Sequence, residues 1–198
     1  MTNIKTKYLK EIVPELKKSF GFKNDFMVPK LEKIKINVGI SKKETEHNSK
    51  YLEIVEGTIT QISGQKPVQN LAKKSIAGFK IREGIPVGVS VTLRGKRMYD
   101  FLEKVINIVL PRIRDFRGLN EKSIDHNGNL SIGFKEQTVF PEIDQEKIEK
   151  VHGLQVTFTV KSANQEQGLA LFKLFGFPFR KIIINYRKND EPTELRIL

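Results

Sequence analysis

The stretch KIKINVGI, residues 33–40, decides the fold, because its polar and apolar residues alternate without a break. Successive side chains of a β-strand point to opposite faces of a sheet, so this pattern predicts a strand with one buried face. Residues 87–94 and 154–161 alternate in the same way, and residues 65–71 predict a shorter strand. Alternating strands are typical of antiparallel sheets, which bury one face and leave the other accessible.

Apolar residues at helical spacing predict helices between these strands. The predicted helices cover residues 4–20, 48–63 and 96–110, and a last helix begins at the capping box Ser162-x-x-Gln165 and ends at Gly176. The inward face expected for the first helix consists of Leu9, Ile12, Val13, Leu16 and Phe20. Together with the alternating strands, these helices predict an α+β fold, an antiparallel sheet with helices packed on one face.

Prolines and irregular composition mark the expected boundaries. Pro14 is expected to kink the first helix or to delay its start, and Pro111 to follow the third helix. Residues 111–150 are rich in punctuation by Pro, Gly and Asn, so they are expected to be irregular, with one short helix near 144–150. Residues 182–198 form an apolar and then charged tail.

The charge of the chain is concentrated in one region. The formal net charge is +12, and residues 66–99 alone carry 8 basic side chains and one acidic side chain. A concentrated positive field attracts polyanions by releasing their counterions. The chain contains no cysteine, which excludes disulfides and thiolate metal sites and is compatible with the cytoplasm. No apolar stretch is long enough to span a membrane, and no secretory signal is expected.

The outward face of the predicted sheet carries only hydrogen-bonding and cationic side chains. Alternation places there Lys33, Lys35, Asn37, Ser90, Thr92, Arg94, Gln155, Thr157, Thr159 and Lys161. None is acidic, although the chain has 23 acidic residues. Amides, hydroxyls and cations suit phosphate oxygens and ribose hydroxyls, so this face is predicted to bind RNA. The alternative is an ordinary solvated sheet face.

A long basic loop, residues 72–86, joins two of the strands. Its candidate contact residues are Lys73, Lys74, Phe79, Lys80 and Arg82. Cations bind phosphates and an exposed aromatic ring can stack on a base. Loops of this length in compact domains are usually functional or disordered. The competing interpretation is a surface hairpin whose apolar residues pack locally.

Patterns typical of enzymes and metal sites are missing from the sequence. It contains no GxxxxGK[ST], GxGxxG or HExxH, and its three histidines are scattered. Nothing assembles a nucleophile, a base and an oxyanion site. No enzyme activity, cofactor or metal is therefore expected.

Four blocks of the sequence closely resemble the bacterial large-subunit ribosomal protein L5 family. They are VPKLEKIKINVGI at 28–40, the long block at 64–120 that begins GQKPVQNLAKKSIAGFKIREG, GNLSIGFKEQTVFPEI at 128–143 and GFPFRK at 176–181. The resemblance is collinear over about residues 5–181. It implies a single ribosomal-protein domain at 1–181 and a C-terminal extension at 182–198, which continues beyond the point where many members stop.

The resemblance implies a function and specific positions. A family member would be a structural constituent of the large subunit, bind 5S rRNA and 23S rRNA in the central protuberance, and adjoin neighbouring large-subunit proteins. Asn37, Gln65 and Thr92 match family positions that hydrogen-bond 5S rRNA. The basic loop resembles the one that reaches the P-site tRNA, and PRIRDFRG at 111–118 resembles a stretch near the bridge to a small-subunit head protein. The residues expected at that bridge are Arg112, Arg114, Asp115 and Arg117.

Three alternatives share some of these features. An RNA chaperone or regulator acting off the ribosome would have the same basic face but would bind many RNAs comparably. An enzyme with a phosphate ligand could use the basic loop as a cradle. A protein that binds membrane surfaces would place its cations on an amphipathic helix, whereas here they lie on strands and a loop.

Overall fold

The computed structural model describes residues 4–40, 50–144, 146, 148–161 and 164–180. Five strands form one sheet: β1 (Lys30–Gly39), β2 (Val68–Leu71), β3 (Pro86–Leu93), β4 (Leu130–Phe134) and β5 (Leu154–Lys161). Their order is β2-β3-β1-β5-β4, and every neighbouring pair is antiparallel. Alternating burial along β1, β4 and β5 leaves one face against the core. The predicted α+β fold is confirmed.

Four helical runs cover the inner face of this sheet. α1 spans residues 4–20, α2 is Tyr51–Ser63, α3 spans residues 95–112 and α4 is Gln165–Phe175. α1, α2 and α4 each end at a glycine in the left-handed region, with φ of 65° at Gly21, 65° at Gly64 and 99° at Gly176. Such glycines satisfy the last helical carbonyls without a steric penalty, as the sequence predicted for Gly64 and Gly176. The C-terminal extension, 182–198, lies outside the described residues.

Both helical prolines follow a π-helical turn. In α1 the π-turn is Tyr8–Ile12 and precedes Pro14, whereas in α3 it is Val105–Val109 and precedes Pro111. A proline has no N–H to donate and crowds the preceding turn, and the wider π-turn accommodates this defect. The expectation that Pro111 follows the third helix was wrong, because α3 continues to Arg112.

The same π-turn changes which side of α1 is buried. The buried residues are Ile4, Tyr8, Ile12 and Leu16, at an interval of four. The predicted inward positions Leu9 and Phe20 are 59% and 36% exposed. A π-turn has more residues per turn than an α-helix, so the apolar stripe is displaced from the 3.6-residue phase assumed for a regular helix. That part of the prediction was wrong.

Two buried tyrosines illustrate how the helices seal the core. The Tyr8 hydroxyl donates a hydrogen bond of 3.1 Å to the Pro29 carbonyl oxygen. Burial, with a smaller contribution from nearby Tyr99, raises the pKa of Tyr8 to about 12. Burial also raises the pKa of Tyr99. The Tyr8 phenol therefore stays neutral and continues to donate, which fixes α1 to the start of β1.

The start of α4 differs from the predicted capping box. Asn164 is the N-cap residue, and the Gln165 amide donates instead to the Ile124 carbonyl oxygen at 2.9 Å. Ser162 lies outside the described residues. The expectation of an irregular region at 111–150 was also wrong in part, because β4 lies within it. The short helix expected near 144–150 falls partly on residues that the structure does not describe.

Candidate nucleic-acid interface

The outward face of the sheet, called here the polar face, is assembled by strand register. Asn37 pairs with Ser90 on β3 and with Gln155 on β5. Lys35 pairs with Thr92 and Thr157, and Ser131 on β4 continues that row. Lys33 pairs with Thr159. The register therefore brings the predicted polar residues of the three long strands into contiguous rows.

A directed chain of hydrogen bonds crosses the centre of the polar face. The Ser90 hydroxyl donates to Asn70 Oδ1 at 3.2 Å, and Asn70 Nδ2 donates to Asn37 Oδ1 at 3.4 Å. Because Asn37 Oδ1 accepts a bond within the protein, its Nδ2 group is left to donate outward. Ser90 is largely buried, so it acts on a ligand through this chain more than by direct contact.

Gln65 lies beside Thr92 at one margin of the polar face. Its side-chain amide donates to the Thr92 carbonyl oxygen at 3.4 Å. This contact holds Gln65 beside a residue whose own side chain is exposed. Three positions separated along the chain, Asn37, Gln65 and Thr92, are thus positioned by the same sheet.

The cations of the polar face are accompanied by one carboxylate at its edge. Lys33, Lys35 and Lys161 occupy outward positions, and Lys30 pairs directly with Lys161 across β1 and β5. Arg94 forms an ion pair of 3.4 Å with Glu32, which sits where the register of β1 shifts. Both partners are about half exposed, with relative side-chain accessibilities of 59% and 48%, so the pair is solvent-screened. The absence of acids holds for the paired outward positions but not for this edge.

The basic loop, residues 72–86, is an ordered extension of the hairpin between β2 and β3. Ile76 and Ile81 exchange two backbone hydrogen bonds of 2.9 and 3.2 Å, and Ala72 bonds to Ile85 at 2.8 Å. Phe79 at the tip is 72% exposed, so local packing does not account for this ring. Lys80 adopts a left-handed φ of 52°, which turns the chain at the tip. Four cations surround this ring, all of them exposed: Lys73, Lys74, Lys80 and Arg82.

The segment predicted at the subunit bridge borders a cleft. Arg112, Arg114 and Asp115 line a cleft of about 820 Å³ together with residues 133–136. Arg117 is exposed beyond this lining. Gly118, with φ of 93°, allows residues 178–180 to approach, since a Cβ there would lie 3.0 Å from the Arg180 nitrogen. The segment is thus held against the end of the described chain.

Sequence reasoning missed three residues of the polar face: Asn70, Ser131 and Lys30. The β2 stretch was predicted as a strand, and reading its alternation against Ser90 would have found Asn70. Ser131 lies on β4, whose five residues include Gly133 and give a weak alternating signal. Lys30 precedes the shift of register in β1, so simple alternation from residue 33 assigns it to the wrong face.

Enzyme and metal signatures do not arise from the folded arrangement of the described residues. His152 is buried and His126 is exposed, while His47 lies outside the described chain. No group of three or more His, Asp or Glu side chains within the described ranges could hold a metal ion. In the same ranges, every helix is too short or too polar to cross a membrane.

Comparison with known proteins identifies the family. Residues 24–82 match the family described as "Ribosomal protein L5", and residues 86–179 match the separate description of the C-terminus of that ribosomal family. The chain belongs to the ribosomal protein L5 family. Among its relatives is the large ribosomal subunit protein uL5 of Colwellia psychrerythraea, 51% identical over 181 residues, which are 91% of this chain and 99% of the relative. The protein of that name from Herpetosiphon aurantiacus is 51% identical over 91% of this chain and 99% of the relative. The one from Carboxydothermus hydrogenoformans is 49% identical over 91% and 100%.

Membership of the L5 family gives the polar face its general context. The protein is a structural, non-enzymatic constituent of the large ribosomal subunit, and its location is the cytoplasmic ribosome. Ribosomal RNA and neighbouring ribosomal proteins are its partners. The predicted absence of enzyme activity is confirmed by the family.

Proposed function

We propose that the polar face binds 5S rRNA and, with neighbouring surfaces, 23S rRNA in the central protuberance. The observation that carries this proposal is the contiguous set of amides, hydroxyls and lysines around Asn37, Lys35 and Thr92. RNA helices display ribose hydroxyls and phosphates across a wide, shallow minor groove, and such side chains are the complementary groups. The outward Nδ2 group of Asn37 would donate to these oxygens, and Lys33 and Lys35 would neutralise phosphates.

A competition experiment tests the proposal. Labelled 5S rRNA bound to the full chain is challenged with unlabelled 5S rRNA and with an unrelated hairpin of equal length, at two salt concentrations. We expect 5S rRNA to compete at least about tenfold better, because shape and hydroxyl contacts add to the electrostatic attraction. Equal competition would instead support an RNA chaperone that acts off the ribosome.

Replacement of Thr92 by alanine gives a residue-level test. Thr92 is exposed on the polar face, so Thr92→Ala removes one hydroxyl contact and is expected to weaken 5S rRNA binding by about 1–3 kcal/mol. Thr60→Ala is the matched control, because Thr60 is exposed on α2 and its hydroxyl bonds the Glu56 carbonyl oxygen at 2.7 Å. The measurement is a filter-binding or mobility-shift titration. Equal affinities for the two variants would contradict a role for Thr92.

The basic loop is proposed to contact the P-site tRNA. Its support is an ordered hairpin that presents Phe79 and its neighbouring cations to the outside. An exposed ring among cations suits the sugar-phosphate backbone and base faces. In ribosomes that carry the chain, binding of P-site tRNA should protect Lys80 and Arg82 from tryptic cleavage, and unchanged cleavage would exclude the contact.

The segment 111–118 is proposed to lie at the bridge to a small-subunit head protein. Arg112, Arg114, Asp115 and Arg117 are exposed charges, and the first three border the 820 Å³ cleft. Exposed charges of both signs suit a rim that forms and dissolves with subunit association. A crosslinker attached at residue 114 should capture a small-subunit protein in joined ribosomes. Capture of large-subunit components alone would refute this assignment.

A further inference from the structure

A second aromatic surface lies away from the basic loop, where α1 turns into β1. Phe26 is 100% exposed, and its neighbour Met27 is 58% exposed. The turn, residues 21–29, is called here the aromatic tip. A fully exposed phenylalanine costs solvation energy and gains no packing, so such a ring is expected to have a partner.

The aromatic tip is held rigidly, although its ring is in solvent. Lys17 Nζ pairs with Asp25 Oδ1 at 2.7 Å, and the Phe22 N–H donates to the Lys17 carbonyl oxygen at 3.2 Å. A 3₁₀ turn at Asp25–Met27 is closed by the Val28 N–H, which donates to the Asp25 carbonyl oxygen at 3.2 Å. Val28 itself is buried. The turn therefore presents the Phe26 ring in advance of binding, which lowers the entropy cost of a contact.

The charges around the tip favour a polyanionic partner. Lys18, Lys23 and Lys30 are exposed beside it, whereas its acid, Asp25, is neutralised by Lys17. Lys30 also pairs with Lys161 across the sheet, so the tip adjoins one end of the polar face. An apolar protein partner would require these three ammonium groups to be desolvated or matched, whereas RNA supplies phosphates for the cations and a base for the ring.

We propose that Phe26 stacks on an unpaired base of ribosomal RNA while Lys18, Lys23 and Lys30 contact the flanking phosphates. This proposal rests on ribosomal RNA as the family's partner, and it extends the proposed polar-face interface around the end of the sheet. Stacking on an aromatic ring accepts any base, so the tip anchors the RNA and does not read its sequence. The base belongs to 5S rRNA or to 23S rRNA.

Affinity measurements separate stacking from simple apolar contact. Each variant of the full chain is titrated with 5S rRNA and, separately, with protein-free 23S rRNA. Phe26→Ala and Phe26→Leu are both expected to weaken binding to one of the two RNAs about tenfold, whereas Phe26→Tyr stays within about threefold of the original chain. Ile108→Ala is the control, since Ile108 is 42% exposed on α3 in the helix layer. Which RNA responds identifies the source of the base.

The absence of tryptophan from the sequence provides a direct probe. Phe26→Trp introduces a single indole at the tip, and Ile108→Trp introduces one in the helix layer. On binding of the RNA that supplies the base, indole fluorescence at position 26 should be quenched and its accessibility to acrylamide should fall several-fold. The indole at position 108 should keep both properties.

Distinct results would overturn the inference. If the indole at position 26 remains as accessible to acrylamide in both RNA complexes as in the free chain, no base stacks there. If it is shielded only in the assembled large subunit, the tip docks on a ribosomal protein instead. Loss of affinity in Phe26→Ala but not in Phe26→Leu would indicate an apolar contact without stacking. In each case normal 5S rRNA binding by the unaltered chain would leave the polar-face proposal standing.

Discussion

Gly168→Ala is expected to destabilise the protein by about 2–3 kcal/mol, although alanine is the better helix former. Gly168 lies in α4, where a Cβ would be 2.4 Å from the Gly128 carbonyl oxygen and 2.5 Å from the Gly128 Cα. Both contacts are with backbone, which cannot move aside as a side-chain end can. In thermal unfolding followed by circular dichroism, the midpoint should fall by about 5–10 °C.

Gly57→Ala is the matched control for this prediction. Gly57 lies in α2, and a Cβ there would meet no atom within 4 Å. The substitution should therefore show the intrinsic preference alone and raise stability by about 0.5–1 kcal/mol. The two glycine-to-alanine changes are expected to shift the midpoint in opposite directions. Similar shifts for both would mean that α4 does not approach the turn at Gly128 so closely.

The double change Lys33→Glu with Lys35→Glu is expected to weaken 5S rRNA binding by about 100-fold or more at moderate salt. Both side chains occupy outward positions of β1, paired with Thr159 and with Thr92 and Thr157. The change removes two cations that would neutralise phosphates and adds two anions that repel them. The loss should shrink as salt is raised, because the electrostatic contribution is screened.

Lys10→Glu with Lys18→Glu controls for net charge. Both lysines are exposed on α1, in the helix layer, and the double change alters the formal charge by the same amount. Lys18 adjoins the aromatic tip, so a modest loss is expected, well below that of the polar-face pair. Mobility-shift titrations at several salt concentrations measure both variants. Comparable losses would mean that the total charge, and not the polar face, governs binding.

The strand alternation carried most of the fold in the sequence. A period of two identifies the buried face directly, which is why β1, β3 and β5 and the outward positions of Lys35, Asn37 and Thr92 were predicted correctly. Cross-strand pairing then brings outward residues together without further information. The family blocks added Gln65, whose place beside Thr92 depends on a hydrogen bond to a backbone carbonyl oxygen and leaves no periodic signal.

The missed features depend on geometry that a periodicity does not encode. The π-turns before Pro14 and Pro111 shift the helical phase, and a fixed 3.6-residue period therefore exposes the wrong side of α1. The shift of register near Glu32 moves Lys30 onto the polar face. The role of Asn70 depends on contacts with residues 20 and 33 positions away.

The one-way orientation of the bonds from Ser90 through Asn70 to Asn37 gives the polar face a selectivity that does not depend on charge. The sequence of donors ends in an outward N–H, which can satisfy an oxygen but has nothing to offer an ammonium or amino group. Lysines lose their influence as ions accumulate around them, whereas a neutral amide does not. At ionic strengths where its electrostatic pull has faded, this small patch still distinguishes acceptors from donors.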